Sequence, residues 1–148
     1  MQLTRFTDYS IRVLIYLAVK QEARSTIGEI AEAFDISRNH LMKVVHELSR
    51  KGYVTAMRGK NGGLVLARAP DTIGLGALVR DTEQDLGLVE CFQQGNGCAI
   101  TPACRLRPIL GEALAAFLAV LDRYTLADVL DGHVPELAGL LRIPAAQL

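Results

Sequence analysis

Cys91, Cys98 and Cys104 are the only cysteines of the chain, and they share one segment with Gly95 and Gly97. Their spacing is C-x6-C-x5-C. Thiolates ligate metals and carry redox chemistry, and glycine lets a backbone wrap closely around an object. Structural zinc favours close C-x2-C pairs and four ligands inside one unit, and that knuckle is absent. The wider spacing suits an iron–sulfur cluster completed by one further ligand. Zinc, thiol redox chemistry and no cofactor at all stay open on spacing alone. Thr101-Pro102 reads as a helix start, which would set Cys104 at the positive end of a helix dipole, where a thiolate is favoured.

The elements that must position these thiols follow from periodicity. Ile11, Leu14, Ile15 and Ala18 recur at i, i+3, i+4, i+7, as do Ile27, Ile30, Ala31 and Phe34, and again Leu41, Val44, Val45 and Leu48. Each set predicts one apolar helix stripe. Thr7, Thr26 and Ser37 are the expected caps, and Gly52 the stop of the third helix. Only Asp35 and Ile36 separate the second and third helices, a connection that predicts a helix-turn-helix. Burial of its stripe turns Arg38, Asn39, His40, Lys43 and Glu47 of the third helix outward. Arg suits guanine and Asn suits adenine by paired hydrogen bonds.

Two short strands are predicted at 53–57 and 64–67, joined by Arg58-Gly59-Lys60-Asn61-Gly62-Gly63. Asn61-Gly62 is expected to supply the positive φ angles of a tight hairpin. Such a basic hairpin is a wing able to reach DNA phosphates or the minor groove. The candidate DNA-contacting residues are therefore Ser37, Arg38, Asn39, His40, Lys43, Arg58, Lys60 and Asn61. His46 and His133 are expected to be ordinary surface or interfacial residues.

Beyond the wing, a short helix over 73–83 precedes the aperiodic cysteine segment. The stripe Leu110, Ala113, Leu114, Phe117, Val120, Leu121 and Tyr124 predicts a long helix whose apolar face exceeds what one domain needs, so it is expected to pack against a second copy. Pro108 predicts a kink or a first-turn break. Thr125 is expected to cap a last short helix, 126–130. The fold expected is mainly α with a small β wing. Residues 1–70 form a DNA-binding domain, and residues 71–148 hold the cysteine loop (about 87–105) and the dimerisation helix.

Charge sorts the same way. The formal net charge of zero hides 11 Lys and Arg against 6 Asp and Glu in residues 1–70, and 5 against 10 in residues 71–148. The basic half suits a polyanion. With 50% hydrophobic residues, the 148-residue chain has ample material for a core. Asp8 and Arg12 interrupt any secretory signal, and the richest apolar run, 110–121, is too short to span a membrane. A soluble, cytoplasmic protein is expected. An enzyme is not: no Cys-His pair lies close in sequence, and no C-x-x-C or phosphate loop occurs.

Over nearly its full length the chain resembles the winged-helix iron–sulfur transcriptional repressors (the NsrR/IscR family), and most the nitric-oxide-sensing members. The likeness lies in Met1-Gln2-Leu3-Thr4-Arg5-Phe6-Thr7-Asp8-Tyr9, Ser37-Arg38-Asn39-His40, Arg58-Gly59-Lys60-Asn61-Gly62-Gly63, Ile100-Thr101-Pro102-Ala103-Cys104-Arg105-Leu106 and Tyr124-Thr125-Leu126-Ala127-Asp128. The resemblance implies a homodimer on a palindromic operator, with one [4Fe–4S] cluster per subunit held by Cys91, Cys98 and Cys104. It further implies Asp8 as fourth ligand, reached from the partner subunit, and release of DNA when nitric oxide attacks the cluster. Read by itself, Asp8 is an acidic first-turn residue that favours the helix dipole.

Members with a [2Fe–2S] cluster carry a His three residues after the third Cys, where this chain has Arg107. The gap from Cys91 to Cys98 is a residue or two longer than the family's usual one, and Pro108 is a further departure. A cluster-supply regulator or a thiol- or zinc-based redox regulator of the same fold is the alternative.

Overall fold

Helix α1 (Arg5–Val19) is the axis of the molecule. The computed structural model describes residues 2–21, 23–60 and 62–148. In it α1 meets α2 (Ile27–Phe34), α3 (Arg38–Arg50), α4 (Leu75–Thr82), α6 (Leu126–Leu130) and α7 (Val134–Leu140). Its predicted stripe explains one side only. Val13, Tyr16, Leu17 and Val19 are buried as well, because elements from the C-terminal half pack against the other side. One hydrophobic cluster consequently joins α1–α3 to Ile73, Leu78, Leu126, Leu130, Ala138, Leu141 and Ile143.

The cap of α1 is Thr4 and not Thr7: the Thr7 amide donates to Thr4 Oγ1 at 3.3 Å. Thr7 lies a turn inside and is fully buried, with its hydroxyl directed across to α4. Thr26 caps α2 as expected, in a reciprocal capping box with Glu29. Glu29 also pairs with the buried ammonium of Lys20 at 3.3 Å, which ties the end of α1 to the start of α2. Asp35 takes the left-handed conformation (φ 52°), and the Ile36 amide returns to Ala31 O at 2.9 Å. That closes α2 within two residues and turns the chain into α3. Ser37 stands at the cap position of α3, but its side chain makes no capping bond. Gly52 (φ 75°) ends α3 as expected.

Strands β1 (Val54–Met57) and β2 (Gly63–Leu66) pair antiparallel, Val54 with Leu66 through to Met57 with Gly63. Five residues therefore separate the paired ends, so the tip is no two-residue turn. Among the described residues of the tip Gly59 is left-handed (φ 102°), and the Gly62 amide donates to Gly59 O at 2.9 Å. Gly62 stands against the Met57 and Gly59 carbonyls, where a side chain would have no room. Asn61 lies outside the described residues. Ser25 adds a one-residue bridge to Leu64 on the far side of β2, with N···O distances of 3.1 and 2.7 Å. Arg68 lies 4.3 Å from the Tyr53 ring centre and donates to the Gly52 and Lys51 carbonyls, clamping the base of the wing to the end of α3.

In the C-terminal half, α4 begins at Leu75, and Gly74 bridges to Thr125 ahead of α6. The long helix α5 (Leu106–Leu121) starts four residues after Pro102. Thr101-Pro102 opens only a three-residue 3-10 turn, and an extended Cys104 breaks the chain before α5. Pro108 thus falls in the first turn of α5, where its missing N–H leaves no bond unmade. Thr125 caps α6 as expected, in a capping box with Asp128. The expectation of α6 as the last helix is wrong: α7 follows, and Ala138, Leu141 and Ile143 bury against the core. Among the described residues, no helix is long and apolar enough to cross a membrane.

Candidate nucleic-acid interface and cysteine loop

Helix α3 presents a polar face beside the wing. Leu41, Val44, Val45 and Leu48 are buried, whereas Arg38, Asn39, His40, Lys43 and His46 are exposed. The Arg38 guanidinium lies along Gly28 at the start of α2, 3.3 Å from where a side chain there would begin. His40 stacks obliquely on Tyr9 of α1, their ring centres 6.3 Å apart. Glu47 is neutralised by Arg50 at 2.7 Å, so it does not oppose a polyanion on this face. Arg58 and Lys60 are exposed at the wing tip. Two cationic elements, α3 and the wing, thus flank an open groove of about 1020 Å³ bordered by Lys43, His46 and Arg58.

The cysteine loop runs between α4 and α5. Cys91 lies in a 3-10 turn (Glu90–Phe92), Cys98 in irregular chain and Cys104 just ahead of α5. All three are free thiols; Cys98 is exposed and the other two are half-buried. Side chains hold the loop together. Glu90 Oε1 accepts from the Gly97 amide at 3.0 Å, Asn96 Oδ1 from the Cys98 amide and the Thr101 hydroxyl, and Asp85 from Gly87 and Gln93. The turn bearing Cys91 is thereby pinned to the residue before Cys98. Among the described residues, no three His, Cys, Asp or Glu side chains stand close enough to hold a metal ion within the single chain.

Asp8 is held on the surface of α1 by two guanidinium nitrogens of an i,i+4 partner: Arg12 Nε at 3.1 Å and Nη2 at 2.9 Å. Arg12 in turn stands against the rings of Tyr9 and Phe34, 5.9 and 5.8 Å from their centres. His133, unpartnered in the sequence reading, has Glu136 at 3.3 Å from Nδ1.

Four consecutive residues at the end of α4 make long-range bonds, one to α5 and three to the N-terminal half. The Arg80 guanidinium grips both oxygens of Asp122 at the end of α5 at 2.6 and 2.7 Å, and the side chain of Asp122 fills the space that Gly76 leaves. Asp81 accepts the Tyr53 hydroxyl at 2.6 Å. Thr82 accepts the Thr7 hydroxyl at 2.9 Å and donates to Leu78 O at 2.8 Å. Glu83 accepts from the Thr4 amide and hydroxyl at 2.8 and 3.1 Å. Helix α5, the wing base and α1 are thus each bonded to one short stretch directly ahead of the cysteine loop. Sequence reasoning missed this joint, since its partners lie 28 to 79 residues away.

The exposed face of α5 is the other unused surface. None of its residues is buried; Leu106 and Ile109 are more than half exposed, and Val120 is exposed nearly as far. Its Leu110, Leu114 and Phe117 border a cavity of about 460 Å³ closed by Leu3, Leu86 and Leu88.

Comparison with known proteins agrees with this architecture. Residues 3–132 match the Rrf2 family, described as an iron-dependent transcriptional regulator. The HTH-type transcriptional regulator NsrR of Geobacillus kaustophilus (strain HTA426) is 55% identical over 133 residues, spanning 88% of this chain and 90% of the relative. Among solved structures, CymR, the global cysteine regulator of B. subtilis, superposes with a TM-score of 0.70 at 27% identity over 87% of this chain and 95% of that one. IscR of T. potens does so with a TM-score of 0.71 at 25% identity, over 88% and 86%. The chain belongs to the Rrf2 family: it is a winged-helix, DNA-binding transcriptional regulator and not an enzyme.

Proposed function

We propose that the chain is a homodimeric repressor that senses nitric oxide through a [4Fe–4S] cluster in each subunit. Its ligands are Cys91, Cys98 and Cys104, with the partner subunit's Asp8 as the fourth. The observation that carries this reading is the set of three free thiols in one hydrogen-bonded loop of a chain 55% identical to an NsrR. The donor set fits the group: three soft thiolates, no fourth cysteine, and a half-exposed carboxylate on another element. Arg107 stands where [2Fe–2S] members offer His, which favours the four-iron form. When bound, the cluster supplies iron to which nitric oxide adds at the expense of protein ligands.

The chain's own residues do the rest. Residues 1–70 read DNA: Ser37, Arg38, Asn39, His40 and Lys43 enter the major groove with α3, and Arg58, Lys60 and Asn61 hold the wing on the backbone. Residues 71–148 hold the cluster and dimerise through the exposed face of α5, which sets two α3 helices about one DNA turn apart. Drawing the three thiols together reshapes the loop that starts beside Glu83, and Glu83 is bonded to the cap of α1. Asp8 lies one turn further along α1. A ligand that favours one loop shape therefore biases the spacing of the recognition helices, which is a coupling between two sites.

The structural likeness to CymR and to IscR favours a second reading: a cluster-supply regulator or a thiol- or zinc-based redox regulator of the same fold. Anaerobic purification with iron and sulfide analysis, then operator binding before and after nitric oxide, separates the two. The expected result is a coloured protein with four irons and four sulfides per chain that leaves DNA on exposure. A colourless protein whose DNA binding ignores nitric oxide would sink the sensor.

A further inference from the structure

Met42 is out of place on α3. The helix buries its apolar residues at 41, 44, 45 and 48, and every neighbour of Met42 on the outward side is polar. Met42 nevertheless stands 54% exposed, one turn after Asn39 and one turn before His46. It projects at the groove between α3 and the wing, which is lined by Phe6, Met42, Val45 and Ala56 and rimmed by Lys43 and Arg58. The apolar floor asks for an apolar group, whereas the cationic rim asks for a polyanion. Glu47, the acid on this groove, is already neutralised by Arg50. The chain belongs to a family of DNA-binding transcriptional regulators, so duplex DNA is the polyanion that meets this groove. A DNA major groove satisfies both, because thymine alone of the four bases presents a methyl group there.

We infer that Met42 is a specificity-determining residue, whose thioether side chain receives the C5-methyl group of one thymine in each half-site. The inference rests on the DNA-binding reading of α3 and adds a base to it. Its flexible, polarisable side chain suits contact with a small apolar group at a polar edge. Asn39 is three residues away, about 4.5 Å along the helix axis, and one base step is about 3.4 Å. If Asn39 pairs with an adenine, the thymine read by Met42 occupies the neighbouring base pair.

The test uses the full-length protein and a duplex operator obtained by selection from random DNA. Each thymine is replaced in turn by deoxyuridine, which removes the methyl group and nothing else. The wild type is expected to lose about fourfold in affinity at one thymine per half-site, the worth of one buried methyl group. Met42→Ala is expected to bind the parent operator more weakly and to ignore that deoxyuridine; Met42→Leu should keep the penalty. Because Met42 is exposed, Met42→Ala should melt like the wild type, so weaker binding does not reflect unfolding. Indifference of the wild type to every deoxyuridine, or an undiminished penalty in Met42→Ala, overturns the inference while DNA binding stands. Failure to enrich any DNA overturns the DNA-binding reading itself, and the inference with it.

Discussion

Replacing Asp8 by Ala separates, by magnitude, its ion pair on α1 from the ligand role proposed for it. In the single chain the carboxylate makes one i,i+4 ion pair with Arg12, with the two side chains 44% and 41% exposed. An exposed pair of this kind contributes about 0.3–0.5 kcal/mol, and a first-turn acid adds roughly 0.3–1 kcal/mol through the helix dipole. The apo protein should therefore lose about 1 kcal/mol, a drop of roughly 2–4 °C in Tm for a chain of this size. Arg12→Ala removes the same pair, along with packing against Tyr9 and Phe34, so it should be at least as destabilising. If Asp8 ligates the cluster, only Asp8→Ala should weaken cluster retention, by at least tenfold, since even outer partners of a metal site are worth about 10–100-fold. The assays are denaturation of the apo protein and anaerobic spectroscopic titration of the reconstituted one. A mixed dimer sharpens the geometry. Pairing an Asp8→Ala protomer with a Cys98→Ala protomer leaves one complete site if the ligand comes from the partner, and none if it comes from the same chain. Cluster affinity and nitric-oxide response unchanged in Asp8→Ala, or no complete site in the mixed dimer, would refute the reasoning.

Other residues give separate readouts. Burial first, and the hydrogen bond to Asp81 second, push the Tyr53 phenol up to about 12 from 10.0. Its folded pKa is raised, so its contribution is fully present below about pH 10 and lost as pH climbs through 12; Tyr53→Phe should flatten that alkaline loss in denaturant titrations. Thr82→Val removes the acceptor of the buried Thr7 hydroxyl and should cost about 1–3 kcal/mol by chemical denaturation, less if Thr7 turns to Thr4 Oγ1, 3.2 Å away. A double mutant Thr7→Val/Thr82→Val should then cost clearly less than the two singles summed, and strict additivity would remove the pair from the joint. Arg58→Ala should weaken binding to all DNA sequences alike and lower the salt slope by about one; a loss confined to one base position would make Arg58 a base reader.

Local signals were legible in the sequence and long-range ones were not. The three stripes, the Thr26 and Thr125 boxes, the two-residue turn and the order of strands all rest on contacts within a few residues, and all are present. Thr7 was misread because Thr4 and Thr7 are both good caps. Tertiary packing decides between them, since only Thr7 faces Thr82. The second buried side of α1 was invisible because residues 13–19 form an unbroken apolar run, in which a stripe has no visible edge, and α7 because a proline in its first turn looks like a breaker. Hairpin length was missed because Asn-Gly is a strong local turn signal, while the pairing of Met57 with Gly63 leaves five residues at the tip. The cysteines were conspicuous at once, but which groups surround them depends on Glu90, Asn96 and Asp85, residues of ordinary polar type.

The joint at the end of α4 is not equally firm in its directions. The Thr7–Thr82 bond is buried, and breaking it strands polar groups away from water. The Tyr53–Asp81 bond anchors a phenol whose residue is 2% exposed. The Arg80–Asp122 pair is exposed on both sides, where water competes and salt screens. Of the side-chain bonds made by the end of α4, those to α1 and the wing base are therefore the firm ones and the one to α5 is the weak one. Under a small displacing force the buried bonds hold and the exposed pair yields. A change in the cysteine loop, which begins at α4 and ends at α5, thus meets its softest resistance between these two helices. Yielding there is limited to the side chains, because the Leu75 amide donates to Tyr124 O at 2.9 Å and the Leu126 amide to Ile73 O at 2.8 Å, so the backbone still ties the start of α4 to the end of α5.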